Sequence, residues 1–205
     1  MSVRQLRLSF AVRATAAFAA VATCAMGAGT APQRRDADTL KAKVAAINAF
    51  AQRPTRQLRR TTVTETEVNA YLTYDAHRDL PVGVIDPTVT ILGTGRVSGR
   101  AVVDLDAVRK EKKPTSLFDP MSYLGGRLPI TATGVLTTSN GVGRFKLESA
   151  AVSSIPVPKI VLQEIVSYYS RTPQNPAGIG LDDPFALPAR IREIHVERGQ
   201  AIVVQ

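Results

Sequence analysis

Cysteine, tryptophan and histidine are scarce in this sequence. Its 205 residues include one cysteine, two histidines and no tryptophan, and aromatic side chains make up 5% of the chain. A single thiol, Cys24, excludes a disulfide framework and a zinc or iron–sulfur site built on several cysteines. His77 and His195 belong to none of the motifs that mark common hydrolases and metalloenzymes. We therefore expect no metal, no cofactor and no enzymatic activity.

The overall composition is that of one basic globular domain. Hydrophobic residues make up 44% and charged residues 21% of the chain, and the net charge is +9. The fraction of apolar residues is too high for an intrinsically disordered chain. Because nucleic acids are polyanions, the positive charge requires nucleic-acid binding to be considered. The basic clusters, 53–60 and 109–113, contain no interleaved aromatic residues and accompany no nucleic-acid-binding motif. We therefore expect no nucleic-acid partner.

The first 31 residues have the pattern of a secretory signal peptide. Three arginines precede an alanine-rich apolar run at 14–28, and small residues follow it. The run is shorter than the ~20 apolar residues of a membrane span. An uncleaved N-terminal anchor and lipidation of Cys24 remain the alternatives to cleavage. The segment predicts an exported protein of the cell envelope, either periplasmic or secreted, and its membrane anchoring depends on which alternative holds.

Two amphipathic helices are predicted after this segment. The spacing of Leu40, Val44 and Ile47 predicts a helix over 36–53, which Asp36 or Asp38 would cap. This helix and a basic connector make up an N-terminal part, 32–60, and a single α+β domain then extends over 61–205. Thr64 and Glu67 form a capping box, which predicts that a second helix begins there and runs to about Ala76.

From Val82 onward, the apolar residues recur with a period of two. This pattern predicts hairpins, in which Asp104 and Asp106 lie on a solvated strand face and Ser149 shares a face with Phe145 and Leu147. The Asn-Gly pair at 140–141 is a strong turn signal. The fold class is therefore α+β, with an antiparallel sheet of hairpins packed on two to three helices. The expected strands are 84–92, 95–106, 128–138, 142–152, 191–197 and 200–204, and a third helix is expected over 160–170.

Two apolar segments are candidates for a binding surface. The segment 117–124 follows the basic cluster 109–113 directly, a pattern typical of contact with a membrane surface. The predicted helix 160–170 is apolar around more than half of its circumference. Each segment also has a simpler interpretation, in which 117–124 covers one end of the sheet and 160–170 packs in the core. Judged from these residues alone, the simpler role is favoured for both.

The order of elements resembles bacterial envelope families built on one half of a tubular lipid-binding (TULIP-like) fold. The segments 64–72, 154–158 and 187–199 carry the resemblance, which covers about residues 60–205. They are similar to LmeA-like phospholipid-binding proteins and to YpmS-like envelope proteins. The resemblance implies a strongly curved antiparallel sheet wrapped around a helix, with acyl chains held between them. The family has no catalytic residues to carry over.

Together, these observations predict a non-enzymatic envelope protein that binds or shuttles a lipid or another apolar ligand. Its partner would be a lipid or an anionic membrane surface. The alternative is a structural or adaptor module that binds another envelope protein or the membrane surface. The side chains expected to contact lipid are Leu117, Phe118, Met121, Tyr123, Leu124, Val161, Leu162, Ile165, Tyr168 and Tyr169.

Overall fold

The described residues of the unit that extends from Pro32 to Gln205 form an α+β fold with four helices and nine strands. The computed structural model describes residues 33–53, 55, 57–76, 80–111, 125–169, 171 and 175–205. The helices are α1 (Arg34–Ala51), α2 (Glu65–Tyr74), α3 (Leu105–Glu111) and α4 (Lys159–Tyr169). The strands are β1 (Arg60–Thr64), β2 (Val84–Gly93), β3 (Arg96–Asp104), β4 (Arg127–Ser139), β5 (Val142–Val152), β6 (Ile155–Pro156), β7 (Phe185–Ala186), β8 (Glu193–Glu197) and β9 (Gln200–Val204). The predicted α+β class is confirmed.

The strands pair antiparallel in two sheets. The small sheet has the order β1-β9-β8, and the large sheet has the order β2-β3-β4-β5-β6, with β7 also pairing along β5. The β4–β5 hairpin turns at Asn140 and Gly141, whose φ angles are 49° and 80°. Two consecutive positive φ angles match the twist of the flanking strands, and Asn-Gly adopts them at little cost. The predicted turn is confirmed.

A short helix replaces the end of the predicted strand 95–106. Asp104 is the last residue of β3, where it pairs with Arg127, and its carboxylate also accepts the N–H of Ala107 at 3.0 Å and so caps α3. Asp106 accepts the N–H of Gly126 at 3.1 Å from within the helix. Asp104 thus lies in the strand as predicted, whereas the prediction was wrong for Asp106, because a helix begins at Leu105. A side chain that bonds nearby backbone amides competes with strand pairing.

The segment after α1 contains a strand that the sequence did not indicate. Arg60 pairs with Val204, and the pairing continues to Thr64 and Gln200, so β1 lies along β9. Arg59 and Gln205 extend this ladder with two backbone hydrogen bonds of 2.9 and 3.1 Å. The partner strand lies at the other end of the sequence, so the local pattern of arginine and threonine indicated only a connector.

The packed core lies between α1 and the small sheet. Its buried centre consists of Ile47 from α1, Ile191, and Val203 from β9. Partly buried apolar residues surround this centre: Leu187, Ala189 and Ile194. Helix α1 begins at Arg34, and the Asp36 carboxylate accepts the N–H of Gln33 at 3.2 Å. Asp36 therefore acts from the first turn of α1, two residues after the helix begins.

Glu67 joins α1, β1 and α2 at one buried point. Its carboxylate accepts the Thr64 N–H at 2.9 Å, and the Thr64 hydroxyl accepts the Glu67 N–H at 3.3 Å, so the predicted capping box is confirmed. The Lys43 ammonium of α1 donates to both Glu67 oxygens at 2.7 and 2.8 Å and to the Thr62 carbonyl at 2.7 Å. Glu67 is only 8% exposed. A buried carboxylate with these partners is fully satisfied and holds the three elements in register.

Side chains of α2 bind the outer edge of β2. Asn69 accepts the Val89 N–H at 2.7 Å and donates to the Val89 carbonyl at 2.8 Å, as a neighbouring strand would. Glu65 accepts the Ile91 N–H at 2.6 Å. The Gly199 N–H, from the β8–β9 turn, donates to the Ile91 carbonyl at 2.8 Å. An open strand edge invites pairing with another chain, and these bonds close it over this stretch.

We predict that Glu67→Gln lowers the free energy of unfolding by about 1.5–3 kcal/mol, because Lys43 then lies partly buried beside a neutral amide. Adding Lys43→Met should recover part of the loss, since the unpaired cation is removed with its partner. Urea unfolding of the wild type, both single variants and the double variant measures the coupling. Asp38→Asn, at an exposed carboxylate of α1, is the matched control. Additive effects of the two substitutions would contradict the prediction.

We predict that Asp104 makes folding depend on pH in the acid range. The hydrogen bond from Ala107, and then the Arg127 guanidinium, lower the pKa of Asp104 below its ordinary value. Such a carboxylate stabilises the folded state at pH values above its ordinary pKa. This contribution is lost as the pH falls through the pKa that the carboxylate has in the folded state. Asparagine still caps a helix but does not titrate.

The stability difference between the wild type and Asp104→Asn should therefore be constant from about pH 7 to about pH 5 and should shrink below about pH 4. Urea midpoints measured across this range test it. Asp86→Asn is the control, because Asp86 is an exposed aspartate of β2. If the stability curves of the wild type and Asp104→Asn stay parallel down to the lowest pH, Asp104 contributes nothing to the pH dependence of folding.

Candidate functional site

The ten side chains expected to contact lipid are divided between two parts of the chain. Helix α4 carries five of them, of which the structure describes the side chains of Val161, 45% exposed, and Leu162, half-buried. The structure does not describe the side chains of Ile165, Tyr168 and Tyr169. The other five, namely Leu117, Phe118, Met121, Tyr123 and Leu124, lie outside the described residues, as does His77.

Helix α4 is held by the loop that follows it. The Gln163 side chain accepts the Leu181 N–H at 2.8 Å, and the Lys159 ammonium pairs with Asp182. In the same loop, Asp183 accepts the Gly180 N–H at 2.6 Å, as expected for an aspartate that caps a turn. Ile160 is 68% exposed, like the neighbouring Val161. The expectation that this helix packs in the core is therefore wrong for its first turn, which faces solvent.

The large sheet has one aliphatic face. Side chains of directly paired residues point to the same side of a sheet, so the strand register assigns each residue to a face. The register places aliphatic, aromatic or small residues from all four long strands on one side, which we call the aliphatic face. They are Val89, Ile91, Val97, Gly99, Ala101, Val103, Leu128, Ile130, Ala132, Gly134, Leu136, Phe145, Leu147, Ala150 and Val152.

Burial decreases across the aliphatic face. Ile91 is 5% exposed, at the end of the sheet that also contacts α2, β8 and β9. Gly134 is covered by the Phe145 ring, since a Cβ added there would lie 2.5 Å from it. The other large aliphatic residues of this face are only half-buried. Most of the face is therefore partly accessible, whereas its end beside the small sheet is covered.

A row of small residues crosses the middle of the aliphatic face. Gly99 pairs with Ala132, and Ala132 pairs with Ala150, so the three residues lie side by side on β3, β4 and β5. A Cβ added to Gly99 would meet nothing closer than the Thr88 carbonyl oxygen at 4.0 Å. The space above this row is open at Gly99, while larger side chains flank it. We call this feature the small-residue trough.

A bulge in β5 decides which residues reach the aliphatic face. Gly134 pairs with Leu147, whereas its neighbour Thr133 pairs with Ser149, so Glu148 is the extra residue. Past the bulge, Ala150 lies on the same face as Leu147, and Ser149 lies on the opposite one. The predicted grouping of Ser149 with Phe145 and Leu147 is wrong, because strict alternation fails at a bulge.

The opposite face of the large sheet is mostly polar. The Ser98 and Thr133 hydroxyls lie 2.9 Å apart across β3 and β4. Arg96 donates to the two oxygens of Glu148 at 2.8 and 3.0 Å, and so links β3 to the β5 bulge across β4. This hydrogen-bonded ion pair raises the pKa of Arg96 and lowers that of Glu148. The sheet is therefore amphipathic, with charge and hydroxyls on one side and hydrocarbon on the other.

Sequence reasoning placed the candidate contacts in continuous apolar runs rather than on this face. In a strand, apolar residues alternate with polar ones, so the aliphatic face is spread over 89–152 and forms no single run. The signal that could have found it was the alternation itself, as in Ala101 and Val103 or Phe145 and Leu147. Combining these short patterns into one surface requires the strand register.

The described residues contain no cluster of potential metal ligands. His195 is exposed, and its Nε2 lies 3.1 Å from the Glu193 carboxylate. Within the described ranges, no group of three or more histidine, cysteine, aspartate or glutamate side chains is placed to hold a metal ion. In the same part of the chain, no helix combines the length and apolarity needed to cross a membrane.

The aliphatic face offers hydrocarbon contact and no group for proton transfer, since the side chains that form it are all aliphatic, aromatic or absent. Such a surface suits an apolar ligand or an apolar partner. Comparison of the chain with protein-family models and with curated protein sequences gave no match.

Proposed function

We propose that this protein is an exported, non-enzymatic envelope protein that binds or shuttles a lipid or another apolar ligand. The aliphatic face of the large sheet is the observation that carries the proposal. Side chains from four strands present hydrocarbon that remains partly accessible. Burying such surface contributes about 25 cal/mol per Å², so a ligand that covers it gains affinity without directional bonds.

The small-residue trough supports an acyl chain as the ligand. Gly99, Ala132 and Ala150 keep the middle of the face low, while Val97 and Ile130, in the flanking rows, rise beside it. A narrow, flexible hydrocarbon chain fits a trough of this kind better than a rigid protein element does. The substrate class is therefore a lipid with at least one acyl chain.

Strand irregularities support a strongly curved, TULIP-like sheet around that ligand. Register shifts interrupt β2 between Ile85 and Thr88 and again between Ile91 and Gly93, and a third lies at the β5 bulge. Bulges bend a strand and increase its twist. A sheet bent towards its aliphatic face would surround an acyl chain on more than one side.

Exposed apolar side chains beside the large sheet support contact with a membrane surface. Ile155 of β6 is 69% exposed, and Ile160 and Val161 follow it within six residues. With a net charge of +9, of which about +6 remains after removal of the predicted signal peptide, the protein would be attracted to anionic lipids. Delivery and collection of a lipid at the envelope membrane would then use this edge.

An adaptor that binds another envelope protein is the second candidate, and the same exposed side chains favour it. The two candidates differ in what occupies the aliphatic face. A lipid carrier purified from its native envelope should contain extractable lipid, and it should float with vesicles of phosphatidylglycerol. Mass spectrometry of the extract and vesicle flotation test both properties. Absence of lipid together with absence of flotation would overturn the lipid proposal.

We predict that Ala132→Phe, in the middle of the trough, reduces the lipid recovered with the purified protein several-fold. The free energy of unfolding should change by less than about 1 kcal/mol, because the added ring enters accessible space, whereas overpacking a filled core costs about 1–3 kcal/mol. Ala151→Phe is the matched control, since Ala151 pairs with Thr131 on the opposite face. A strongly destabilised Ala132→Phe, or equal lipid in both variants, would contradict the prediction.

A further inference from the structure

A cavity lies at the end of α1, and none of its described lining residues belongs to the aliphatic face. It has a volume of about 480 Å³, within the range of small-molecule sites. The end of α1, the connector to β1, and the chain before β8 and after β9 line it. The lining residues that the argument uses are Phe50, Arg53, Leu58, Arg190, Arg192 and Gln205.

Three arginines, all of them exposed, line this cavity. Arg53, Arg190 and Arg192 all line it, and none of the described lining residues carries a carboxylate side chain. The guanidinium groups of Arg53 and Arg192 make no hydrogen bond or ion pair with any other residue in the described part of the chain. Because all three residues are exposed, their guanidinium groups are accessible to an anion that enters the cavity.

Arg190 is fixed in position by the end of α1. One of its terminal nitrogens donates to the Arg53 carbonyl at 3.1 Å and to the Ala51 carbonyl at 3.4 Å. A guanidinium has five N–H donors, so this anchoring leaves others for a ligand. Gln205 fixes the opposite wall, because its side chain donates to the Ile47 and Ala189 carbonyls at 3.0 and 2.7 Å. The positive cluster is thus supported by hydrogen bonds to the packed core.

The geometry points to a phosphoryl group as the ligand of this cavity, which we propose is an anion-binding site. A phosphoryl group offers several oxygens and up to two negative charges, which suits three arginines better than a single carboxylate does. The cavity exceeds the size of a bare ion, and Phe50 and Leu58 add apolar wall. The ligand is therefore a phosphate ester, either a soluble one or the headgroup of a phospholipid.

The paired substitution Arg53→Gln with Arg192→Gln tests the site while leaving Arg190 and its structural bonds in place. In the wild type, glycerol 3-phosphate should raise the urea midpoint above that in sodium chloride of equal ionic strength, because it binds the folded state. Each arginine removed should weaken binding about tenfold. Arg100→Gln with Arg144→Gln, at exposed arginines of the large sheet, is the control pair and should leave binding unchanged.

Vesicles distinguish the two sources of the phosphoryl group. A lipid headgroup predicts flotation with phosphatidylglycerol that the Arg53/Arg192 pair abolishes and the control pair retains. A soluble ester predicts a midpoint shift with glycerol 3-phosphate and flotation that the Arg53/Arg192 pair leaves intact. The proposal is overturned if neither response depends on Arg53 and Arg192, or if acetate raises the midpoint as much as glycerol 3-phosphate. Either result leaves the proposal of lipid binding at the aliphatic face, and its Ala132→Phe test, unaffected, because the two sites share no described residue.

Discussion

Hydrogen bonds between α2 and the outer edge of β2 tie the large sheet to the rest of the fold. Asn69 and Glu65 bind that edge, while Glu67, on another side of the same helix, binds Lys43 of α1. Glu65, Glu67 and Asn69 occupy every second position of α2. Glu65 and Asn69 therefore share the side that binds β2, and Glu67 lies on the side that binds α1. Because α1 also packs on the small sheet, these part-buried bonds join the large sheet to α1, and hydrogen bonds of Thr138 with Ile194 and of Gly95 with Val196 join the two sheets directly.

The packed core of the described residues lies beside one end of the large sheet. The buried cluster around Ile47 and Val203 lies between α1 and the small sheet, and burial on the large sheet is greatest near Ile91. Beyond that point the aliphatic face is only half-buried. Among the described residues, the elements that join the large sheet contact the edge of β2 and the end beside the small sheet, and most of the aliphatic face stays half-buried. That division between a packed end and an accessible face underlies the proposed lipid binding.

Charge is distributed as unevenly as hydrocarbon. Arginines on the polar face of the large sheet include Arg96, which is neutralised by Glu148. Arg53, Arg190 and Arg192 converge instead on a cavity whose described lining lacks carboxylates. Composition gives only a positive total, which on its own suggested nucleic acid as readily as a membrane. The three arginines that line one cavity are the basis for the proposed anion site, which a positive total charge alone does not indicate.

Features that depend on neighbours along the chain could be predicted from the sequence. The capping box of Thr64 and Glu67, the Asn-Gly turn and the period-two hairpins required only local chemistry. Tertiary structure decided the pairing of β1 with β9, the bulge at Glu148, and the meeting of Arg53 with Arg190 and Arg192. These features join segments that are distant in sequence, and their free energy comes from contacts that no local pattern encodes. The candidate surfaces follow the same division, since alternation marks each apolar residue but only strand register assembles them into a face.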